Sequence, residues 1–172
     1  MARTGEVTGR GNPLTLEGES PEVGAQAPQF VAVANDMSEQ KLSDYRGKTV
    51  ILTTAPSLET AVCDAQGRAF NERATSLPQE VVVVMVSMDL PFAQKRWCGS
   101  HGIESVVTLS DYKHRAVAEA YGLRIRETGL LARTVWVIDP EGVIRYRQIV
   151  PEITSEPDYD AALEAAQQAA GA

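Results

Sequence analysis

Cys63 is one of two cysteines in the chain, and its neighbours decide what chemistry it can do. An apolar, β-branched run, Thr49-Val50-Ile51-Leu52-Thr53-Thr54, arrives before it, and a segment of helical periodicity leaves after it. The thiol therefore stands where a strand hands over to a helix. A helix N-terminus carries unpaired N–H groups and partial positive charge, and both favour a thiolate over a thiol. A thiolate is a nucleophile, a metal ligand or a redox centre; a cysteine without such surroundings is a small buried hydrophobe. The second cysteine, Cys98, comes 35 positions later on a different predicted helix.

Other reactive residues set the alternatives. Cys98-Gly99-Ser100-His101 has C-x-x-H spacing, and with Cys63 and His114 it supplies four zinc-ligand types. These four are spread over two predicted helices and a loop, without a second close pair. A cysteine hydrolase needs a histidine base beside its nucleophile, and neither histidine lies in a suitable segment. The C-x-x-C of a disulfide oxidoreductase is absent. Arg133, always charged and carrying five donors, is either a site residue or a surface charge at a strand end.

The elements that must position these groups follow from pattern. Val7-Thr8 and Leu14-Thr15-Leu16, around Gly11-Asn12-Pro13, predict an edge hairpin within residues 1–28. Gln29 to Val33 predicts a strand, Asn35 to Ser38 a turn, and Lys41 to Gly47 a short helical turn. After the Lys48–Thr54 strand, Val62, Ala69 with Phe70, and Leu77 mark one helical face. Gly67 interrupts that helix, as a tolerated weakness or as a close approach by another backbone, and Pro78 ends it. Val81-Val82-Val83-Val84-Met85-Val86 is apolar without alternation, which predicts a strand covered on both faces in a parallel sheet.

Asp89-Leu90-Pro91 opens a helix that carries Trp97 and Cys98 and stops near Gly99 or Gly102. Val106 to Leu109 is a strand. Ser110 or Asp111 caps a helix from Lys113 to Tyr121, which Gly122 ends. Leu131 to Ile138 and Val143 to Val150 form a hairpin around Asp139-Pro140-Glu141-Gly142. A last helix runs from Tyr159 to about Ala170. Strands alternating with helices, then a hairpin and a helix, predict an α/β sheet with helices on both faces.

The 172 residues fit one domain, and 44% hydrophobic with 23% charged residues suit a packed core. A net charge of −7 without a basic block argues against nucleic acid as a partner. The longest apolar run is far below the roughly 20 residues of a membrane helix, and the N-terminus has no apolar signal core. The expectation is a cytoplasmic protein, where a permanent structural disulfide is rare.

Pro56, Thr60 and Cys63 form the pattern P-x-x-x-T-x-x-C, which is similar to the active-site signature of the peroxiredoxins. The longer run Pro56-Ser57-Leu58-Glu59-Thr60-Ala61-Val62-Cys63 resembles their bacterial thiol peroxidase branch. So do Asp89 to Gly99, which resembles that branch's resolving-cysteine segment, Leu131-Ala132-Arg133, and Glu152 to Tyr159. The resemblance spans nearly the whole chain. It implies a single thioredoxin-like domain over residues 1–172, a mixed sheet flanked by helices on both faces with residues 1–28 as a hairpin extension.

The resemblance also implies a thiol-dependent peroxidase, without cofactor or metal, acting on hydrogen peroxide and alkyl hydroperoxides. Cys63 would be the nucleophile, with Arg133 beside it. Thr60 would orient the peroxide, Pro56 would cover the sulfur, and Val62 would join the substrate-binding set. Cys98 would resolve the Cys63 sulfenic acid as an intramolecular disulfide, recycled by thioredoxin, in a homodimer. A peroxide sensor that passes oxidation to a partner is the variant reading. Asp64 departs from the branch's usual small residue after the cysteine, but adjacent helix positions point different ways.

Overall fold

The computed structural model describes residues 1–171. Its strands are β1 (Ala2–Gly9), β2 (Asn12–Glu17), β3 (Val31–Ala34), β4 (Glu39–Lys41), β5 (Thr49–Thr54), β6 (Val81–Ser87), β7 (Val106–Ser110), β8 (Arg124–Ile125), β9 (Thr134–Ile138) and β10 (Ile144–Ile149). The helices are α1 (Ala61–Ala74), α2 (Pro91–His101), α3 (Ala116–Ala120) and α4 (Tyr159–Gly171), with a 3-10 turn at Leu42–Tyr45.

The unalternating Val81–Val86 run becomes β6, which is parallel to β5 on one side and to β7 on the other. The full sheet has seven strands in the order β10-β9-β5-β6-β7-β3-β4. β9, β10, β3 and β4 join it antiparallel, so the sheet is mixed. Alternate residues of each central strand serve opposite faces. Val50, Leu52, Val84, Val86, Trp136 and Ile138 pack with Val117 and Ala118 of α3 and with Tyr121, its C-cap. Ile51, Val83, Met85, Val135 and Val137 pack with α1, α2 and α4 through Phe70, Trp97, Ala162 and Ala166. Both α1 and α2 therefore lie on one face, and each begins beyond the C-terminal end of a parallel strand.

The hairpin turns at Arg10-Gly11, one residue earlier than Gly11-Asn12-Pro13 suggests. Arg10 and Gly11 both have positive φ, 50° and 80°, which gives the turn the twist a two-residue hairpin needs. Asn12 and Pro13 already belong to β2. Pro13 sits where β2 has only one neighbour, so its missing N–H breaks no ladder bond. The two-residue β8 completes a small three-stranded sheet, β1-β2-β8, that the pattern did not predict. Nor did it predict β4, which pairs with β3.

Two helices differ from expectation. The third begins at Ala116, not Lys113, because Arg115 takes a left-handed conformation with φ 53°. Asp111 still caps it from a distance, accepting the N–H groups of Val117 at 3.1 Å and Ala118 at 2.9 Å. In α1 the buried face is Cys63, Gln66, Gly67 and Phe70, while Val62 and Ala69 are only half-buried. Hydropathy missed that face because a glutamine and a glycine occupy it. The strand expected from Leu131 starts at Thr134, so Leu131-Ala132-Arg133 approach it outside the main sheet's ladder. Among the described residues no helix is long and apolar enough to cross a membrane.

Candidate active site

Cys63 lies in the first turn of α1 and is fully buried. Its sulfur accepts two donors: the backbone N–H of Ser57 at 3.5 Å and Nη1 of Arg133 at 3.4 Å. The loop between β5 and α1 supplies the first, and the residue before β9 supplies the second. Since β9 is hydrogen-bonded to β5, two chain segments far apart in sequence meet at one sulfur.

Arg133 is 2% exposed and is no surface charge. A buried guanidinium is tolerable only when its donors are matched. Nε and Nη2 both donate to the Ile153 carbonyl, at 3.0 and 2.6 Å, and Nη1 also donates to Oε1 of Gln66 at 2.6 Å. Gln66 in turn gives its amide N–H groups to Thr53 Oγ1 at 2.6 Å and the Thr54 carbonyl at 3.2 Å. It is fully buried. Sequence reasoning passed over this residue, although it stands three positions after Cys63, where helix geometry brings side chains to one face.

The Ile153 carbonyl is held by the hairpin. The Glu152 carboxylate accepts the N–H groups of Gly11 at 2.9 Å and Arg10 at 3.1 Å, the Thr8 hydroxyl at 2.9 Å, and both N–H and hydroxyl of Thr154. These donors, Gly11 N–H foremost, hold the Glu152 carboxyl well below the usual carboxylate range.

The remaining expected residues lie around this centre without all touching it. Thr60 is the extended N-cap of α1, and its hydroxyl donates to the Ser57 carbonyl at 3.0 Å instead of to the sulfur. It is exposed beside an open groove that Leu58, Trp97 and His101 also line. Pro56 is buried and Val62 half-buried. Asp64 faces α2: its carboxylate accepts Trp97 Nε1–H at 2.8 Å, Arg68 Nε–H at 3.0 Å, and lies 3.2 Å from His101 Nε2.

Cys98, on α2, is half-buried, and both cysteines are free thiols. Its sulfur lies 3.4 Å from Thr108 Oγ1 and 3.7 Å from Asn35 Nδ2. Thr108 gives its own proton to Asn35 Oδ1 at 2.9 Å. The Cys98 thiol can therefore donate to Thr108 and accept from Asn35, a complete set for one S–H. Neighbouring Trp97 turns the other way, onto Gly67 of α1. The close approach at Gly67 is thus by a side chain, where a backbone was one expectation. The four zinc-type residues have separate partners: His114 pairs with Glu39, and His101 with Asp64. Among the described residues no three His, Cys, Asp or Glu side chains are grouped to hold a metal.

The arrangement presents a buried thiol to a fixed cation and a fixed N–H, inside a hydrogen-bonded frame. The comparisons agree with that chemistry. The family profile described as Redoxin matches residues 22–163. The chain is 47% identical over 161 residues to the thiol peroxidase of Bacillus subtilis, covering 94% of this chain and 96% of that protein. It is 45% identical over 164 residues to the thiol peroxidase of Listeria innocua, with 95% and 99% covered. Its fold matches a peroxiredoxin-like protein from Aquifex aeolicus with a TM-score of 0.90 at 41% identity, over 96% of both chains.

Proposed function

Because this chain belongs to the redoxin family, and within it to the thiol peroxidases, we propose that its peroxide-reducing centre is built on Cys63 and completed by Cys98. The Cys63 thiolate attacks one oxygen of a hydroperoxide and expels the other. The S–O bond forms as the O–O bond breaks, and the leaving oxygen takes a proton to become water or an alcohol. Cys63 is left as a sulfenic acid. Negative charge passes from sulfur to the departing oxygen, so fixed donors aimed along that path lower the barrier.

The single observation that carries this reading is Arg133 Nη1 at 3.4 Å from the Cys63 sulfur. Its cationic fork is already in place before substrate arrives, which avoids reorganisation during the reaction. The Ser57 N–H is the second donor. Thr60 stands at the groove, where its hydroxyl oxygen can accept the peroxide O–H; a rotation away from the Ser57 carbonyl would let it donate to sulfur. Pro56 and Val62 limit water around the thiol. Removing one such donor typically costs about 10²–10³-fold in rate, whereas ionising a thiol more fully adds less, because nucleophilicity falls with pKa.

The sulfenic acid is then resolved by Cys98: the S–S bond forms and the sulfenic oxygen leaves as water. Two cysteines bridge only when their Cα atoms come within about 7 Å. Cys63 sits in one helix and Cys98 in another, each with its own hydrogen-bond partners, so both segments rearrange on oxidation. Thioredoxin restores the dithiol. The chain acts as one domain, in a homodimer, in the cytoplasm.

The test is peroxide consumption with thioredoxin, its reductase and NADPH, comparing wild type, Cys63→Ser and Cys98→Ser. Cys63→Ser is expected to be inactive. Cys98→Ser is expected to complete one turnover and fail to recycle. Sustained turnover by Cys63→Ser would overturn the assignment.

A further inference from the structure

A carboxylate beside the centre touches neither sulfur. Asp89 lies between the end of β6 and the start of α2, and its Oδ1 accepts the Ser57 hydroxyl at 2.6 Å. Its Oδ2 accepts the Leu58 N–H at 2.8 Å and the Ser87 hydroxyl at 2.7 Å. The anchor is itself fixed. Gln94 of α2 donates to Ser87 Oγ at 3.0 Å and to the Leu109 carbonyl at 2.9 Å, and the Ser110 hydroxyl donates to the Asp89 carbonyl. Asp89 is thereby fastened to the ends of β6 and β7 and to α2.

What it holds are two consecutive residues of the loop before α1. One of them, Ser57, supplies the N–H that donates to Cys63 at 3.5 Å. Gripping the hydroxyl of residue 57 and the N–H of residue 58 orients Ser57 and stops the loop from swinging out. Hydrogen bonds to a carboxylate are roughly twice as strong as neutral ones. For Cys63 to reach Cys98 this loop has to move, and the Asp89 contacts are among those that oppose the movement.

We propose that Asp89 is a positioning residue with opposite effects on the two half-reactions: it speeds peroxide attack by aiming Ser57 at Cys63, and it slows disulfide closure by holding the loop in place. This rests on the two-cysteine reading above. Closure converts Cys63–SOH and Cys98–SH into the disulfide and water. A second peroxide competes for the sulfenic acid, giving sulfinic acid and the reduced alcohol or water. The longer the loop stays held, the more sulfinate forms.

The experiment begins with wild type: peroxide must produce the Cys63–Cys98 disulfide by mass, and its absence would sink the two-cysteine reading, not the role of Asp89. Asp89→Asn keeps the shape but has one acceptor oxygen in place of two, so its NH2 group cannot accept from whichever it faces, Ser57 or the Leu58 and Ser87 pair. In a Cys98→Ser background it is expected to slow the first turnover about tenfold, equivalent to about 1.4 kcal/mol. With Cys98 present, it is expected to leave several-fold less sulfinate per turnover at high peroxide. A role in stability alone predicts no such split. An unchanged first turnover, or sulfinate that stays level or rises, would overturn the proposal. Ser57→Ala removes the hydroxyl's bond to Asp89 together with its acceptance of the Glu59 N–H, and gives the same readouts should Asp89→Asn fail to fold; changes in the same two directions support the proposal, and no change refutes it.

Discussion

Arg133 and Cys63 are 70 residues apart in sequence, yet Nη1 of one lies 3.4 Å from the sulfur of the other, and the same nitrogen is tied to Gln66. The guanidinium is held on two sides, by Ile153 through Nε and Nη2 and by Gln66 through Nη1. A lysine at this position has one nitrogen and cannot bridge both supports while facing the sulfur.

Arg133→Lys is therefore expected to lower kcat/KM for peroxide by about 10²–10³-fold, the usual loss for a preorganised donor. Alkylation of Cys63 by iodoacetamide, which needs a thiolate but no donor for a leaving oxygen, should change much less. Measuring both rates on one preparation checks this; equal losses would place the arginine's contribution in the thiol itself.

Among the described residues, the Gln66 side chain hydrogen-bonds to Arg133 and to β5. Gln66→Met fills similar space and removes both sets of contacts. It leaves a buried guanidinium N–H without its partner, at a cost of about 1–3 kcal/mol before relaxation. The expected result is a lower melting temperature together with at least a tenfold fall in kcat/KM, read by thermal unfolding and steady-state kinetics. Loss of stability with unchanged kcat/KM would show that Arg133 keeps its aim without Gln66.

The sequence carried the sheet more readily than the frame around the thiol. The unbroken apolar run of β6 announced a buried parallel strand, and Cys63 stood out as a candidate through its place between strand and helix together with the residues flanking it. Arg133 entered through family resemblance, since nothing local distinguishes it from a strand-end charge. Gln66, Ser57 and Asp89 were not legible, because their roles depend on partners that only the fold brings close: Gln66 serves Arg133, 67 positions away, and Asp89 serves Ser57, 32 positions away. The α1 face was misread for a related reason. Burial there follows hydrogen bonding and close packing, at Gln66 and Gly67, and hydropathy scores neither.

Gly67 is required by Trp97. A Cβ built on Gly67 would overlap Cη2 of the indole and stand 2.9 Å from Cζ2, with Met85 Sδ at 3.2 Å behind it. Gly67→Ala normally favours a helix by about 1 kcal/mol. Here the overlap must push Trp97 off α1 and strain its bond to Asp64, and overpacking of this kind costs about 1–3 kcal/mol. The variant is expected to be less stable than wild type and to show altered tryptophan emission in the reduced state. A gain in stability would mean that the indole yields freely.

Glu152 gives the chain an acid-sensitive joint. Its carboxyl is held well below the ordinary carboxylate value by the Gly11 N–H, by Thr154 and by Thr8. A group whose folded pKa is depressed stabilises the fold above its unfolded value, about 4.3 for a glutamate, and loses that contribution as pH falls toward the folded value. The joint fastens the Arg10-Gly11 turn to the residue before Ile153, whose carbonyl takes the Arg133 fork. Glu152→Gln removes the charge and leaves one oxygen for donors that now share two. The stability difference between wild type and Glu152→Gln should be constant from neutral pH down to about 5 and shrink below about 4. Denaturant unfolding of the pair across that range checks the sign. A difference that grows on acidification would mean that the carboxylate is not what secures the hairpin to the arginine's support.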